Sequence, residues 1–469
     1  MILQLLLGIV TLLSWLSIFH VLQSDRKPEV TIGWVLALFF ITPLALPAYW
    51  VFGFRRYRGY TQTLRRTIAI NQDYVQGFFD NLSRHREEDC PAFDGLQSLT
   101  PFPLTRDNHI ELLIDGPATY QAIFHAISQA KHYVLVQYFI IETGETGDAF
   151  FELLLQKARE GVKVYLLHDY FGSRHMHHRY VQKCEAAGIR MRPFRSPRIH
   201  RSLYHINFRN HRKIVVVDGQ YAFTGGLNIG DKYLGRSAGL RHWRDTHLKL
   251  TGPVAFELQA SFISDWLWTT GNLIKDLSWS RQDPTPLGTQ TAAIFPTGPA
   301  DARPVCILKL VALIQEARER LWIATPYLIP DEAIMVALEA AVRRGVEVRI
   351  LTTGAVDHYI VFAAGWYYAE QLRRAGVRIY RYNDGFMHQK VLLVDQKLAS
   401  VGTVNLDPRS YSLNFEVSLI SPDSQTIRRV EAMLTEDFES ATENLWEWKE
   451  IGAVRRTTAR FLRLFSPLI

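Results

Sequence analysis

Two distant stretches of this chain repeat each other at one fixed offset, and that repetition limits the fold more than any other feature. Residues 210–231 read NHRKIVVVDGQYAFTGGLNIGD, and residues 387–407 read MHQKVLLVDQKLASVGTVNLD. His211, Lys213, Asp218, Gly225 and Asn228 recur as His388, Lys390, Asp395, Gly402 and Asn405, each 177 positions further on. One HxKxxxxD is a weak signal. Two of them, each followed in register by Gly and Asn, mark a duplicated functional unit.

The surrounding sequence repeats as well. A helical pattern ending at Ala130 leads to the apolar run Tyr133–Ile141, then the helical AFFELLLQKAREG and the strand-like VKVYLLHD. In the second half a helical pattern ending at Ala317 leads to LWIATPYLI, AIMVALEAAVRRG and VEVRILTT. AAGIRMR at 186–192 matches RAGVRIY at 374–380. Strands alternating with helices that close on glycine predict parallel α/β layers, folded as two similar lobes. The expected organisation is 1–53 as membrane helices, 54–104 as a juxtamembrane linker, 105–285 and 286–450 as the two lobes, and 451–469 as a basic tail.

Residues 2–22 and 30–53 contain no Asp, Glu, Lys or Arg, and each is long enough to cross a hydrocarbon core as a helix. A cleaved signal peptide fits less well, because a basic n-region and a small-residue cleavage site are both missing. Pro43 and Pro47 predict a kink in the second span, and Trp34, Tyr49 and Trp50 suit interfacial anchors. Arg55, Arg56, Arg58, Arg65 and Arg66 follow the second span. The positive-inside bias therefore places residues from 54 onward in the cytoplasm and the short link 23–29 outside.

The repeated residues point to phosphodiester chemistry. His and Lys two apart before VVVD or LLVD read as a strand with period-2 alternation, so both side chains share a face. The glycine-containing turn then returns Asn to that face. Lys213, Lys390, Asn228 and Asn405 can stabilise charge on phosphoryl oxygens. His211 and His388, one from each half, supply a nucleophile and a leaving-group acid. Each histidine needs an orienting carboxylate, and the candidates are Asp245 in HWRDTHLKL and Glu416 in NFEVSLI. Whether each serves its own half or the other is open at this point. Asp218 and Asp395 complete the candidate catalytic motif and are expected to act structurally, fixing backbone turns.

Hydrophobic residues make up 48% of the 469, enough for a large core, and the formal net charge of +7 favours anionic partners. Cys90, Cys184 and Cys306 are too far apart for a CxxC zinc site and indicate no disulfide framework. His175, His177 and His178 cluster without matching carboxylates or cysteines, so no metal is expected.

On these residues the chain resembles the phospholipase D superfamily and, within it, bacterial cardiolipin synthases. NFRNHRKIVVVDG, GGLNIGDKY, HWRDTH, PTGPAD, ATPYLIPD and GTVNLDPRSYSLNFE carry the resemblance, which extends over nearly the whole chain. It implies an α/β fold of two phospholipase D-like lobes related by pseudo-twofold symmetry, preceded by a transmembrane helical hairpin. It implies His211 as nucleophile forming a phosphohistidine and His388 as acid, then base, with the reverse assignment open. The implied substrates are two phosphatidylglycerol molecules, the products cardiolipin and glycerol, and no cofactor or metal is implied. A bacterial inner-membrane location goes with it, with membrane phospholipids and the bilayer as partners and nucleic acid not expected.

The same motifs would serve a hydrolytic phospholipase D, or a transferase with another acceptor such as phosphatidylethanolamine. A nuclease is a more distant alternative, disfavoured by the apolar spans. A silent scaffold is disfavoured by the intact motifs. The tail VRRTTARFLRLFSPLI suits a basic amphipathic element. FRSPRIHRSLYHIN lengthens the first half before its motif: Ala187 to His211 is 24 residues, against 13 from Ala375 to His388.

Overall fold

The computed structural model describes residues 1–24, 26, 28–53, 57, 59–174, 176, 178–195, 207–236, 242–279, 287–443, 450 and 452–466. Duplication in sequence becomes duplication in one continuous sheet. From the centre outward the first half runs Thr105–Ile114, Thr246–Thr251, Tyr221–Gly225, Ile214–Val217, Tyr133–Tyr138, Lys163–His168 and Arg190–Pro193. The second runs Gln290–Thr297, Asn414–Ser421, Leu398–Gly402, Val391–Val394, Arg320–Ala324, Glu347–Thr353 and Arg378–Tyr382. Strands Thr105–Ile114 and Gln290–Thr297 pair antiparallel at the seam. The same order on either side of that seam is the pseudo-twofold relation.

The sheet is mixed rather than parallel. In each half the last three strands named run parallel to one another, and in the second half the short strand Ala441–Glu443 adds antiparallel beyond Arg378–Tyr382. The motif strands are antiparallel hairpins. The cause is local: Asp218 and Gly219 take φ of 53° and 67° in a tight reversal, and Asp395 takes 49°. Such a turn returns the chain beside the strand it left.

Period-2 alternation along the strands separates two faces. Leu135, Ile214, Val216, Trp322 and Leu393 enter a single core common to both halves, covered by helices Pro253–Thr270 and Ser424–Glu439. Their neighbours Val134, Val136, Val215 and Val217 enter a core built mainly by the first half, which Phe386 of the second half completes. Leu321, Ile323, Leu392 and Val394 enter one built mainly by the second half. The shared core joins the halves into one body, and the separate cores reflect the repeat. Residues before the first lobe also pack: Phe78 and Leu82 join the shared core, while Phe93 and Leu96 join that of the second half.

The amino-terminal region departs from two full spans. Ile2–Leu22 is one apolar helix of 21 residues, roughly 32 Å, matching a hydrocarbon core of roughly 30 Å. The second apolar segment is two shorter helices, Pro28–Phe40 and Thr42–Phe52, of about 20 and 17 Å. They break at Ile41 (φ −125°, ψ 39°), two residues before Pro43, which takes a place in the first turn of the second helix where its missing N–H costs nothing, while Pro47 lies inside that helix. The break is a reversal, not the expected kink. Tyr49 packs edge-on against Trp34 at 5.1 Å and hydrogen-bonds His20 at 2.6 Å. Arg26 donates to the Tyr49 hydroxyl and to the Gly53 carbonyl. Tyr49 is thus a buried packing residue rather than an interfacial anchor. The end of the second segment lies beside the link.

The tail forms helix Ala453–Leu462, which packs on helix Tyr359–Arg374. Arg55, Arg56, Arg58, His175, His177 and residues 196–206 of the extra loop lie outside the described residues, as does the side chain of His178.

Candidate active site

The histidines precede the motif strands instead of lying within them. Short strands Arg209–Asn210 and Phe386–Met387 leave their own half and pair, in parallel, with Asn414–Ser421 and Trp243–Arg244 of the other. The His211 amide donates to the Phe415 carbonyl at 2.8 Å, and the His388 amide to the Arg244 carbonyl at 2.8 Å. Each histidine is therefore delivered across the pseudo-twofold.

That crossing settles the carboxylate pairing. His211 Nδ1 lies 2.9 Å from Glu416 Oε2, and His388 Nδ1 lies 2.9 Å from Asp245 Oδ2. Both carboxylates are fully buried, while the histidine side chains keep 10% and 8% exposure. The rings are held tightly yet are not sealed from a substrate. Neither Nε2 has a hydrogen-bond partner among the described residues, which leaves both outward nitrogens available.

The lysines are buried beside them. Lys213 Nζ donates to the His211 carbonyl at 2.7 Å, and Lys390 Nζ to that of His388. Each lysine lies in the field of both Asp245 and Glu416, so the two motif sets form one electrostatic neighbourhood. Burial lowers Lys390 to about 8 and pushes Lys213 well below its ordinary value. Burial also lowers His211 to about 4, against the pull of Glu416, and lowers His388 well below its ordinary value, with Lys390 and Lys213 adding to the effect. The two lysine charges add to burial in disfavouring a protonated imidazole. A bound phosphodiester would relieve this.

The asparagines lie in loops beyond the second motif strand rather than on it. Asn228 Oδ1 accepts from the Ile140 amide at 3.1 Å, and its Nδ2 donates to the Tyr233 hydroxyl at 3.1 Å. Asn405 Oδ1 is buried without a hydrogen-bond partner. Asp218 and Asp395 sit at the far ends of the motif strands, away from the histidines. The Asp218 carboxylate accepts from the amides of Lys131, His132 and Tyr133, and that of Asp395 from Arg318, Glu319 and Arg320. Each splints the start of the neighbouring strand.

Several contacts were not legible in the sequence. Thr403, Ser410 and Asn414 all donate to Glu416. Phe139 packs against His211 at 5.0 Å, and Trp243 and Phe386 pack against His388 at 5.2 and 5.8 Å. Arg212, between His211 and Lys213, pairs with Asp265 at 2.9 Å, and Gln389, at the matching place, donates to Asp437 at 2.7 Å. A charged residue between His and Lys in a strand-like run was the available signal.

The family described as cardiolipin synthase, PLD-like domain, matches residues 123–266 and 310–439, one segment in each half. Cardiolipin synthase A of Pseudomonas putida (strain W619) is 41% identical over 470 residues, covering 99% of this chain and 98% of that protein. The chain belongs to the cardiolipin synthase family. Cardiolipin synthase A of Pseudomonas syringae pv. syringae (strain B728a) agrees at 40% identity over 99% of the chain. Phosphatidylserine synthase of Haemophilus influenzae Rd KW20 shares the fold, with a TM-score of 0.63 at 16% identity, over 81% of this chain and all of that one. Membership makes the chain an enzyme of the phosphatidyltransferase type. With the apolar helix Ile2–Leu22, it also makes it a membrane protein.

Proposed function

We propose that the enzyme forms cardiolipin from two phosphatidylglycerol molecules and releases glycerol, through a phosphohistidine on His211. The observation that carries this reading is the crossed pairing of His211 with Glu416 and His388 with Asp245. At His211, donation from Nδ1 to Glu416 keeps the proton off Nε2, whose lone pair is then directed outward. His388 instead enters the first step as the imidazolium, with Nδ1–H held by Asp245 and the Nε2 proton ready to transfer once the bound phosphodiester offsets the lysine charges. His211 Nε2 attacks phosphorus, the P–O bond to the departing glycerol breaks, and His388 gives that oxygen a proton. The hydroxyl of a second phosphatidylglycerol loses its proton to His388 and attacks the phosphohistidine, breaking the P–N bond. One phosphodiester replaces another, so the exchange needs no external energy source. Lys213, Lys390, Asn228 and Asn405 are assigned to the phosphoryl oxygens.

His211 is favoured as nucleophile by the state of its carboxylate. Burial pushes Glu416 up, but His211, Lys213 and Thr403 outweigh burial and hold it below its ordinary value. Burial pushes Asp245 up to about 6. The firmer negative charge stands behind His211.

We also assign the catalytic lobes to the cytoplasmic face of the bacterial inner membrane, with Ile2–Leu22 as the one full crossing and residues 30–53 re-entrant. Arg26, Lys27 and the arginines after residue 53 then fall on one side, as the positive-inside bias favours. Reporters at residue 1 and after residue 60 should read from opposite sides, and the same side for both would overturn this topology.

The deciding assay resolves the lipids made from labelled phosphatidylglycerol alone and from its mixture with phosphatidylethanolamine. Cardiolipin and free glycerol from phosphatidylglycerol alone are expected. Mainly phosphatidic acid would mean hydrolysis, and cardiolipin only in the mixture would mean a different lipid pair.

A further inference from the structure

We propose that a cleft beside the membrane-proximal segment is a second binding site, distinct from the catalytic histidines, for the phosphate-bearing headgroup of an anionic phospholipid. The cleft has a volume of about 580 Å³ and is lined by Arg190, Arg192, Arg195, Trp266, Thr270 and Asn272, among others. None of these belongs to the HxKxxxxD motifs. The arginines come from the outermost strand of the first half, Arg190–Pro193, and the residues just after it. Trp266, Thr270 and Asn272 come from the end of helix Pro253–Thr270 and the turn beyond.

The charge in this cleft is uncompensated. Arg190 donates to the Tyr165 hydroxyl at 3.0 Å and lies over that ring, which packs edge-on against Trp266 at 5.2 Å. Arg192 donates to the Met191 carbonyl at 2.7 Å, and Arg195 lies over the Tyr170 ring. These partners are all neutral. Among the described residues none of the three arginines is within ion-pairing distance of a carboxylate. Asp276, whose charge reaches Arg190, is itself held by Lys163 at 2.8 Å. The carboxyl end of helix Pro253–Thr270 offers roughly half a negative charge against three positive ones. Guanidinium groups braced on aromatic rings and short of anions suit phosphate oxygens, which they can bind through paired N–H donors.

Position in the chain selects a lipid as the source of that phosphate. Phe194, between Pro193 and Arg195, stacks on Tyr57 at 6.1 Å, and Trp268 donates to the Tyr57 hydroxyl at 2.9 Å. Tyr57 is four residues beyond Gly53, where the apolar segment ends. Four residues span at most about 14 Å, so the cleft's inner wall is tethered close to the bilayer surface. There an anionic leaflet supplies phosphate at high local concentration, and basic residues gain from its potential. Trp266, Leu273 and Ile274 add apolar wall for the first atoms of the acyl chains.

The test uses full-length protein in non-ionic detergent and native mass spectrometry to count bound ligand. Dihexanoyl phosphatidic acid is the probe, because its phosphomonoester presents no diester to exchange. Dihexanoyl phosphatidylcholine and inorganic phosphate form the other arms. Arg192→Ala/Arg195→Ala is expected to bind one phosphatidic acid about tenfold more weakly than the unaltered protein. Arg192→Lys/Arg195→Lys should retain most of that binding, which separates loss of charge from loss of fold. Equal retention by the alanine pair would overturn the site. An equal loss of phosphatidylcholine would overturn headgroup recognition, and binding of inorganic phosphate but not the lipid would overturn the lipid assignment. The product assay on phosphatidylglycerol is independent of all three arms.

Discussion

The two halves of the active site occupy matching positions yet differ chemically, and the difference begins with two side chains. Behind His211 stands Glu416, which also accepts from Thr403, Ser410 and Asn414. Behind His388 stands Asp245, which accepts from the Trp243 indole at a long 3.4 Å and from the Thr246 amide at 2.9 Å. The position matching Thr403 is Gly226, where a Cβ would come within 1.9 Å of Asp245 Oδ1. Close approach of the aspartate therefore excludes the side chain that, in the other half, donates to the glutamate. Duplication supplied two equal frames, and these substitutions made one carboxylate firmly ionised and the other readily protonated. A reaction with one attacking and one proton-transferring histidine needs such inequality.

Removing either imidazole should have the largest effect. His211→Ala and His388→Ala are each expected to lower turnover by roughly 10⁴-fold, and the double variant by little more, because the pair acts as a unit. Rapid quench with labelled phosphatidylglycerol should place the phosphoryl group on the His211 peptide. Finding it on His388 would reverse the roles of the halves, and near-normal turnover in either variant would end the two-histidine mechanism.

Exchanging the carboxylates for amides should separate the halves next. Glu416→Gln is expected to lower turnover by roughly 10²–10⁴-fold, and Asp245→Asn by less. Their stability effects should have opposite signs. Asp245 is raised to about 6 in the folded state, so ionising it weakens the fold as pH rises through that value. Asp245→Asn should therefore raise the melting temperature at pH 8, by about 1–3 kcal/mol of stability, and leave it unchanged at pH 4. Glu416 is depressed in the folded state, so its stabilisation is present above its unfolded value and lost as pH falls. Glu416→Gln should lower the melting temperature at pH 8 and converge with the unaltered protein in acid. Shifts of the same sign at pH 8 would show that the two sites are electrostatically alike.

Smaller contrasts sharpen the picture. Thr403→Val removes one donor to Glu416 and should cost about tenfold in turnover. Asn228→Ala and Asn405→Ala should each weaken turnover. Asn228 should also lower the melting temperature more, since both ends of its amide brace its own half. Chelation should have no effect on activity, whereas loss with EDTA and recovery with a divalent ion would replace the proposed chemistry.

The sequence by itself determined the duplication, the α/β character and the identity of the repeated His, Lys and Asn residues, because local pattern and constant spacing are properties of one dimension. It also marked Asp218 and Asp395 as turn residues. It did not determine the sheet's direction, since run length and apolarity are alike for parallel and antiparallel buried strands. Nor did it reveal the reversal at Ile41, because composition records how long a segment is apolar and not whether it turns back. The pairing of His211 with Glu416 and of His388 with Asp245 was decided only in three dimensions. The partners are 205 and 143 residues apart, and their meeting depends on short strands that leave one half to pair with the other. Contacts of that kind arise from the packing of two halves about an axis, which no local stretch of sequence encodes.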